Sequence, residues 1–111
     1  MTSTSETIVA LATPPGMGAI AVIRLSGTRA IEMADEFFVA KKKGTRLAGA
    51  KSHTLHFGVI KKGEEMIDEV LISVFKGPHT YTGENTVEIS CHGSVFIQQQ
   101  ILNICHLHGA R

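Results

Sequence analysis

Polar and apolar residues alternate along several stretches of the chain and recur at helical spacing along others. From Thr86 to Ser90, Val87 and Ile89 fall on one face and Thr86, Glu88 and Ser90 on the other, which predicts a strand with an oily side and a polar side. Turn residues precede it in Tyr81-Thr82-Gly83-Glu84-Asn85, and at Gly93 the period changes from 2 to 3.6. The polar side, with Glu88 and His92, therefore ends at the start of a helix, where anionic or hydrogen-bonding ligands are readily held. His53 to Ile60 alternates in the same way, with Leu55, Phe57 and Val59 on one face. Lys62-Gly63 turns the chain back and Ile67 to Phe75 returns, which predicts a hairpin.

Thr7 to Ala12 is a β-branched run stopped by Pro14-Pro15-Gly16, and Ala19 to Leu25 is a second strand stopped by Ser26-Gly27. In the second, Ile20 and Val22 share a face with Arg24, while Ala21, Ile23 and Leu25 share the other. Such a strand suits the middle of a sheet, and Arg24 is its anomaly. Thr28 to Lys43 predicts a helix, because Ala30, Ile31, Ala34, Phe37 and Phe38 recur at helical spacing and Lys41-Lys42-Lys43 charge the last turn before Gly44. Gly44 to Ser52 is a loop. Ser94 to His108 predicts a second helix, with Ile97, Ile101, Ile104 and Cys105 inward, Gln98-Gln99-Gln100 mostly outward and Gly109 at the C-cap. The order β-β-α-β-β-β-α implies an α+β domain of two layers, a mixed five-stranded sheet with both helices on one face.

A chain of 111 residues, 43% hydrophobic and 19% charged, allows one domain over 1–111 with one modest core. No apolar run reaches the roughly 18 residues that would span a bilayer, and MTSTSET lacks the order of a signal peptide, so the expectation is a cytoplasmic protein without membrane contact. Cys91 and Cys105 are too few for a disulfide framework. A formal charge of +1 gives no broad basic field and argues against holding nucleic acid through phosphates.

Few motifs survive their context. Gly16-Met17-Gly18-Ala19-Ile20-Ala21 matches a dinucleotide-binding turn but opens a strand where a helix is required. Gly44 to Ser52 (GTRLAGAKS) comes within one residue of a phosphate loop, with Ala50 between glycine and Lys51. Cys91-His92 and Cys105-His106-x-His108 could suggest zinc, but residues 105, 106 and 108 do not all share one helix face and Cys105 belongs to the inward stripe, so no metal site is expected. His53, His79 and His92 read as turn or surface histidines, and local spacing assembles no catalytic set. Arg24 and Glu88 are different. A guanidinium on a central strand needs an acceptor, and Glu88 supplies a carboxylate on the polar face of another strand. Either the two pair with each other or they serve a polar ligand that needs a fork of donors and a bidentate acceptor.

TIVALATPPGMGAIAVIRLSG and YTGENTVEISCHG, joined by DEVLISVFKGPHTYTGEN and followed by a helix ending in HGAR, closely resemble the N-terminal domain of the tRNA modification GTPases of the MnmE (TrmE) family. The resemblance implies a fold similar to the folate-binding domain of aminomethyltransferases, a homodimer, and a bound one-carbon tetrahydrofolate such as the 5-formyl form near the dimer interface. It implies further domains beyond Arg111, where GTP, magnesium and potassium would bind. With an FAD-dependent subunit, the whole protein would install an aminomethyl-type group on the wobble uridine of tRNA. The family's folate contacts fall here on Arg24 and Glu88, and a further lysine lies beyond Arg111. The chemistry agrees, since a pterin offers a ring N–H beside an exocyclic amine, a donor pair that one carboxylate accepts. The chain departs from the family at Met17, usually basic, at Asn85, often aspartate, and at Ser94, commonly glycine, where serine suits an N-cap. Two other readings stay open: a pure homodimerisation module in which Arg24 and Glu88 form an ion pair, and a stand-alone one-carbon transferase.

Overall fold

A computed structural model describes residues 6–13, 18–78 and 83–111. The strands are β1 (Ile8–Leu11), β2 (Ile20–Ser26), β3 (Phe38–Ala40), β4 (Thr54–Lys62), β5 (Glu65–Phe75) and β6 (Thr86–His92), with helices α1 (Ala30–Asp35) and α2 (Val95–Leu107). They form one sheet in the order β1-β2-β6-β5-β4-β3, every pair antiparallel. The fold is α+β as expected, but the sheet has six strands and is not mixed. Connections as short as β4 to β5 and β5 to β6 return a strand antiparallel, because a parallel return needs a crossover of a dozen or more residues.

The extra strand comes out of the stretch expected to be helical. α1 stops at Asp35, whose carboxylate accepts the Leu47 and Ala48 N–H groups at 2.7 and 2.8 Å and so draws a later 3-10 turn (Leu47–Gly49) against the helix end. Phe38–Ala40 then pairs with β4, and the Phe38 ring lies where a side chain on Gly58 would stand, 2.7 Å from an added Cβ. Sheet pairing outweighs the weak helix propensity of Phe37-Phe38-Val39, and Lys41-Lys42-Lys43 leave no helix.

Both helices cover one face of the sheet. Ala21, Ile23 and Leu25 of β2, Val87, Ile89 and Cys91 of β6, and Val70, Ile72 and Val74 of β5 are buried there against Ala30, Ile31 and Ala34 of α1 and Ile101, Ile104 and Cys105 of α2. α2 is bounded as its sequence suggests: Ser94 Oγ accepts the Ile97 N–H at 3.0 Å, and Gly109 follows the last turn at a φ of 111°. Gln98 is a correction. It is buried rather than outward, because its amide donates to the Gly93 carbonyl at 3.0 Å and so satisfies the elbow between β6 and α2. That elbow is tight: Gly93 and the Gly18–Ala19 backbone exchange hydrogen bonds at 3.1 Å, at a spacing no Cβ on residue 93 would permit. At the far edge, the Val9 N–H meets the Arg111 carbonyl at 2.8 Å and the Arg111 N–H the Thr7 carbonyl at 2.9 Å. No helix of the described residues is long and apolar enough to cross a membrane.

Candidate functional site

No helix of the described residues lies over the sheet's second face. Alternation places Arg24 of β2 and Glu88 of β6 on that face, and the register sets them directly opposite, with Ala10 beyond one and Ser73 beyond the other. Arg24 Nε donates to Glu88 Oε2 at 2.9 Å, and Nη2 lies 2.8 Å from the same oxygen. Both side chains keep contact with solvent, 39% and 28% exposed, so the guanidinium is matched without being sealed in. Because one carboxylate oxygen takes both bonds, Glu88 Oε1 and Arg24 Nη1 have no partner among the described residues. Flanked by small side chains, the pair presents an acceptor and a donor outward.

A second polar pair lies four residues further along β6, about 13 Å at the rise of a strand. His92 Nδ1 is 2.7 Å from Asp68 Oδ1, and Asp68 Oδ2 accepts the His92 backbone N–H at 2.9 Å. Against a carboxylate the ring presents N–H at Nδ1, which leaves Nε2 turned to solvent. Asp68 is buried on β5 and both its oxygens serve His92, so this histidine is held in one orientation. Sequence reasoning read His92 as a surface histidine and missed Asp68. The available signal was a carboxylate interrupting the apolar face of Asp68, Val70, Ile72 and Val74 at period 2. At the His92 end of this face, Ile20, Phe57, Leu71, Ser90 and His92 line an open hollow of about 200 Å³.

The cysteines lie on the covered face. Burial, with the Asp68 carboxylate adding to it, pushes the Cys91 thiol up from 9.0 to about 11. Burial takes the Cys105 thiol to about 12 against an opposing backbone hydrogen bond. Neither is a thiolate at neutral pH. His106 donates to the Ala110 carbonyl at 3.0 Å, while His108 meets Glu36 at 2.7 Å and tilts against Phe37, so the helix-end histidines turn to different partners. Among the described residues no three metal-ligating side chains converge. Gly44 to Ser52 folds as a 3-10 turn between loops, and Gly18 leads into strand β2, so neither segment has the strand–loop–helix form that holds a nucleotide. Pro14-Pro15-Gly16, Met17, His79 and Tyr81-Thr82 lie outside the described residues.

The described residues thus form an α+β domain with a one-sided antiparallel sheet and an ion pair on its open face. The chain belongs to the family described as the GTP-binding protein TrmE N-terminus, which matches residues 7–111. It is 57% identical over 106 residues to the tRNA modification GTPase MnmE of Flavobacterium psychrophilum, covering 96% of this chain and 23% of that protein. It is 57% identical over 100 residues to the protein of that name from Christiangramia forsetii, covering 90% and 21%, and 48% identical over 105 residues to that of Listeria welshimeri, covering 95% and 22%. The chain spans less than a quarter of the length of the curated relatives it matches.

Proposed function

We propose that the open face of β2 and β6 binds a one-carbon tetrahydrofolate, such as 5-formyl-tetrahydrofolate, as the folate and dimerisation domain of a tRNA modification GTPase. The observation that carries this reading is the cross-strand pair of Arg24 and Glu88, half exposed and with Oε1 and Nη1 left over. Glu88 would accept the pterin's ring N–H and exocyclic amine, and Arg24 would serve a carbonyl or a carboxylate of the folate. The apolar hollow at the His92 end of the same face offers Leu71 and Phe57 to an aryl group. Tetrahydrofolate supplies a one-carbon unit when bound; this chain binds and orients it and keeps its thiols protonated. The fold likeness to the folate-binding domain of aminomethyltransferases belongs to the same reading. So do the homodimer, the FAD-dependent partner subunit, the wobble uridine of tRNA and the cytoplasm. GTP, magnesium and potassium belong to parts outside these 111 residues.

Titration calorimetry with 5-formyl-tetrahydrofolate tests the reading. Glu88→Gln keeps the shape but turns a donor toward the pterin's own donors, so affinity should fall about ten- to a hundredfold. Wild-type chain that takes up no heat from the folate overturns it.

A second reading rests on the same face. Ile20, Phe57 and Leu71 are exposed large apolar residues there, and a second copy covering them would make this a dimerisation module without folate. Light scattering that reports a dimer, together with no response to folate, selects this alternative.

A further inference from the structure

The sheet has two edges, and they end differently. At the β1 edge the Arg111 backbone already pairs with Thr7 and Val9. At the β3 edge the Lys41 N–H bonds to the Phe57 carbonyl and the Lys61 N–H to the Phe37 carbonyl, both at 2.9 Å, so residues 37, 39 and 41 turn their backbone groups to β4. Phe38 and Ala40 turn theirs the other way, and their N–H and C=O groups have no partner among the described residues. The chain then bends at Gly44, at a φ of 80°, and returns to Asp35, which holds Leu47 and Ala48. Between this returning loop and the strand edge lies a hollow of about 380 Å³, with Phe38, Val39 and Ala40 on one side and Lys42, Lys43 and Arg46 on the other.

The edge is basic as well as unpaired. None of the chain's ten Asp and Glu lies between Glu36 and Glu64, a stretch that holds seven of its eleven Lys and Arg. Lys41 pairs with Glu69 at 3.2 Å and Arg46 lies 3.7 Å from Asp35, whereas Lys42 and Lys43 have no carboxylate partner among the described residues. On the open face beside the edge Val39, Leu55 and Phe57 are exposed, and Lys41 Nζ stands 5.7 Å from the centre of the Phe57 ring.

We propose that the β3 edge is a docking site for an extended, acidic segment of a partner protein, which adds a short strand to the sheet. The outward N–H and C=O groups of Phe38 and Ala40 supply the main-chain pairing that such strand addition uses. Alternate side chains of the added strand lie beside Val39 on the open face, where apolar residues suit them, and its carboxylates answer Lys42, Lys43 and Arg46. A three-residue strand offers few backbone bonds, so charge carries much of the affinity and the complex is a transient one. Lysines beside a short edge also guard it against stray pairing. A guarded edge, however, gains nothing from exposed Val39, Leu55 and Phe57 beside it or from a hollow along it. The site lies three strands from β6 and stands whether or not Arg24 and Glu88 bind folate.

The probe is a labelled, end-blocked peptide of alternating aspartate and valine, and the measurements are its fluorescence anisotropy and the amide shifts of the full 111-residue chain. Wild type should bind it with a Kd of about 10–500 μM, and the Phe38 and Ala40 amides should shift more than that of Val39. The same peptide methylated on its central backbone nitrogens should bind at least about tenfold more weakly. Lys42→Glu with Lys43→Glu should also cost at least about tenfold, whereas Arg29→Glu with Arg111→Glu, after β2 and beside β1, should cost less than about threefold. Ala40→Pro removes an outward N–H and none of the bonds to β4, so it should weaken the peptide about fivefold or more at an unchanged melting point. No binding by wild type at about 1 mM peptide, equal binding of the methylated peptide, or equal losses in the two charge-reversed variants overturns the proposal. So does polyuridine that binds more tightly than the peptide, which would assign the lysines to nucleic acid, or a dimer that Ala40→Pro abolishes, which would assign the edge to a second copy.

Discussion

On β2 and β6, Ala21, Ile23 and Leu25 meet Val87, Ile89 and Cys91 beneath the helices, while one residue along each strand Ile20, Val22 and Arg24 meet His92, Ser90 and Glu88 on the other face. The covered set is almost devoid of solvent and chemically dull. The open set holds the ionisable groups and the hollow, and little packing depends on it. Alternation at period 2 thus lets the same two strands supply stability on one side and recognition on the other, so that changing one side leaves the other largely intact.

That separation is open to direct attack. Ile89→Ala removes a side chain with no exposure from the middle of the covered face and should cost about 2–5 kcal/mol in urea unfolding, whereas Ser90→Ala, its neighbour on the open face, should stay within about 0.5 kcal/mol. Comparable losses for the two would end the distinction. Asp68→Asn acts where the faces meet, because a buried carboxylate grips an exposed histidine. It should cost about 1.5–3 kcal/mol, and the His92 ring should lose its fixed tautomer in nitrogen-resolved NMR. Alkaline pH attacks the covered face through its two thiols. Above pH 9.0 the unfolded thiols ionise while the folded ones stay protonated up to about 11 at Cys91 and about 12 at Cys105. The unfolded state then binds fewer protons, and stability falls by about 1.4 kcal/mol per pH unit for each thiol. Urea midpoints on either side of pH 9.0 should show it, and Cys105→Ala should roughly halve the slope. Glu88→Gln should disturb folding little, by no more than about 1 kcal/mol, because the pair is partly exposed, while it weakens the proposed folate contact. A melting point far below wild type without folate would make the pair structural instead.

Strands with a clean alternation were legible, and so were Ser94 and Gly109 as the bounds of α2, because a cap and a left-handed glycine act through their nearest neighbours. Phe38–Ala40 was not. Its strand exists through Gly58 on β4 and through Asp35 capping a turn twelve residues on, and local spacing records neither. Arg24 was legible as an anomaly, and alternation placed Glu88 on a polar face; the register between residues 64 apart was needed to bring them together. The His92–Asp68 pair escaped because it depends on a contact between residues 24 apart.

The insertion of β6 between β2 and β5 also sets an order of events. The β4–β5 hairpin closes through a short turn at Gly63, whereas β2, paired early with β1, waits for its second partner β6, which starts sixty residues later in the chain. Closing that long loop costs entropy before its contacts repay it, so the β2–β6 seam forms late and opens early. The Arg24–Glu88 pair sits on that seam. Substitutions in β2 or β6 should therefore speed unfolding with little change in the folding rate, and those in the hairpin should slow folding; chevron plots showing the reverse would place the nucleus elsewhere.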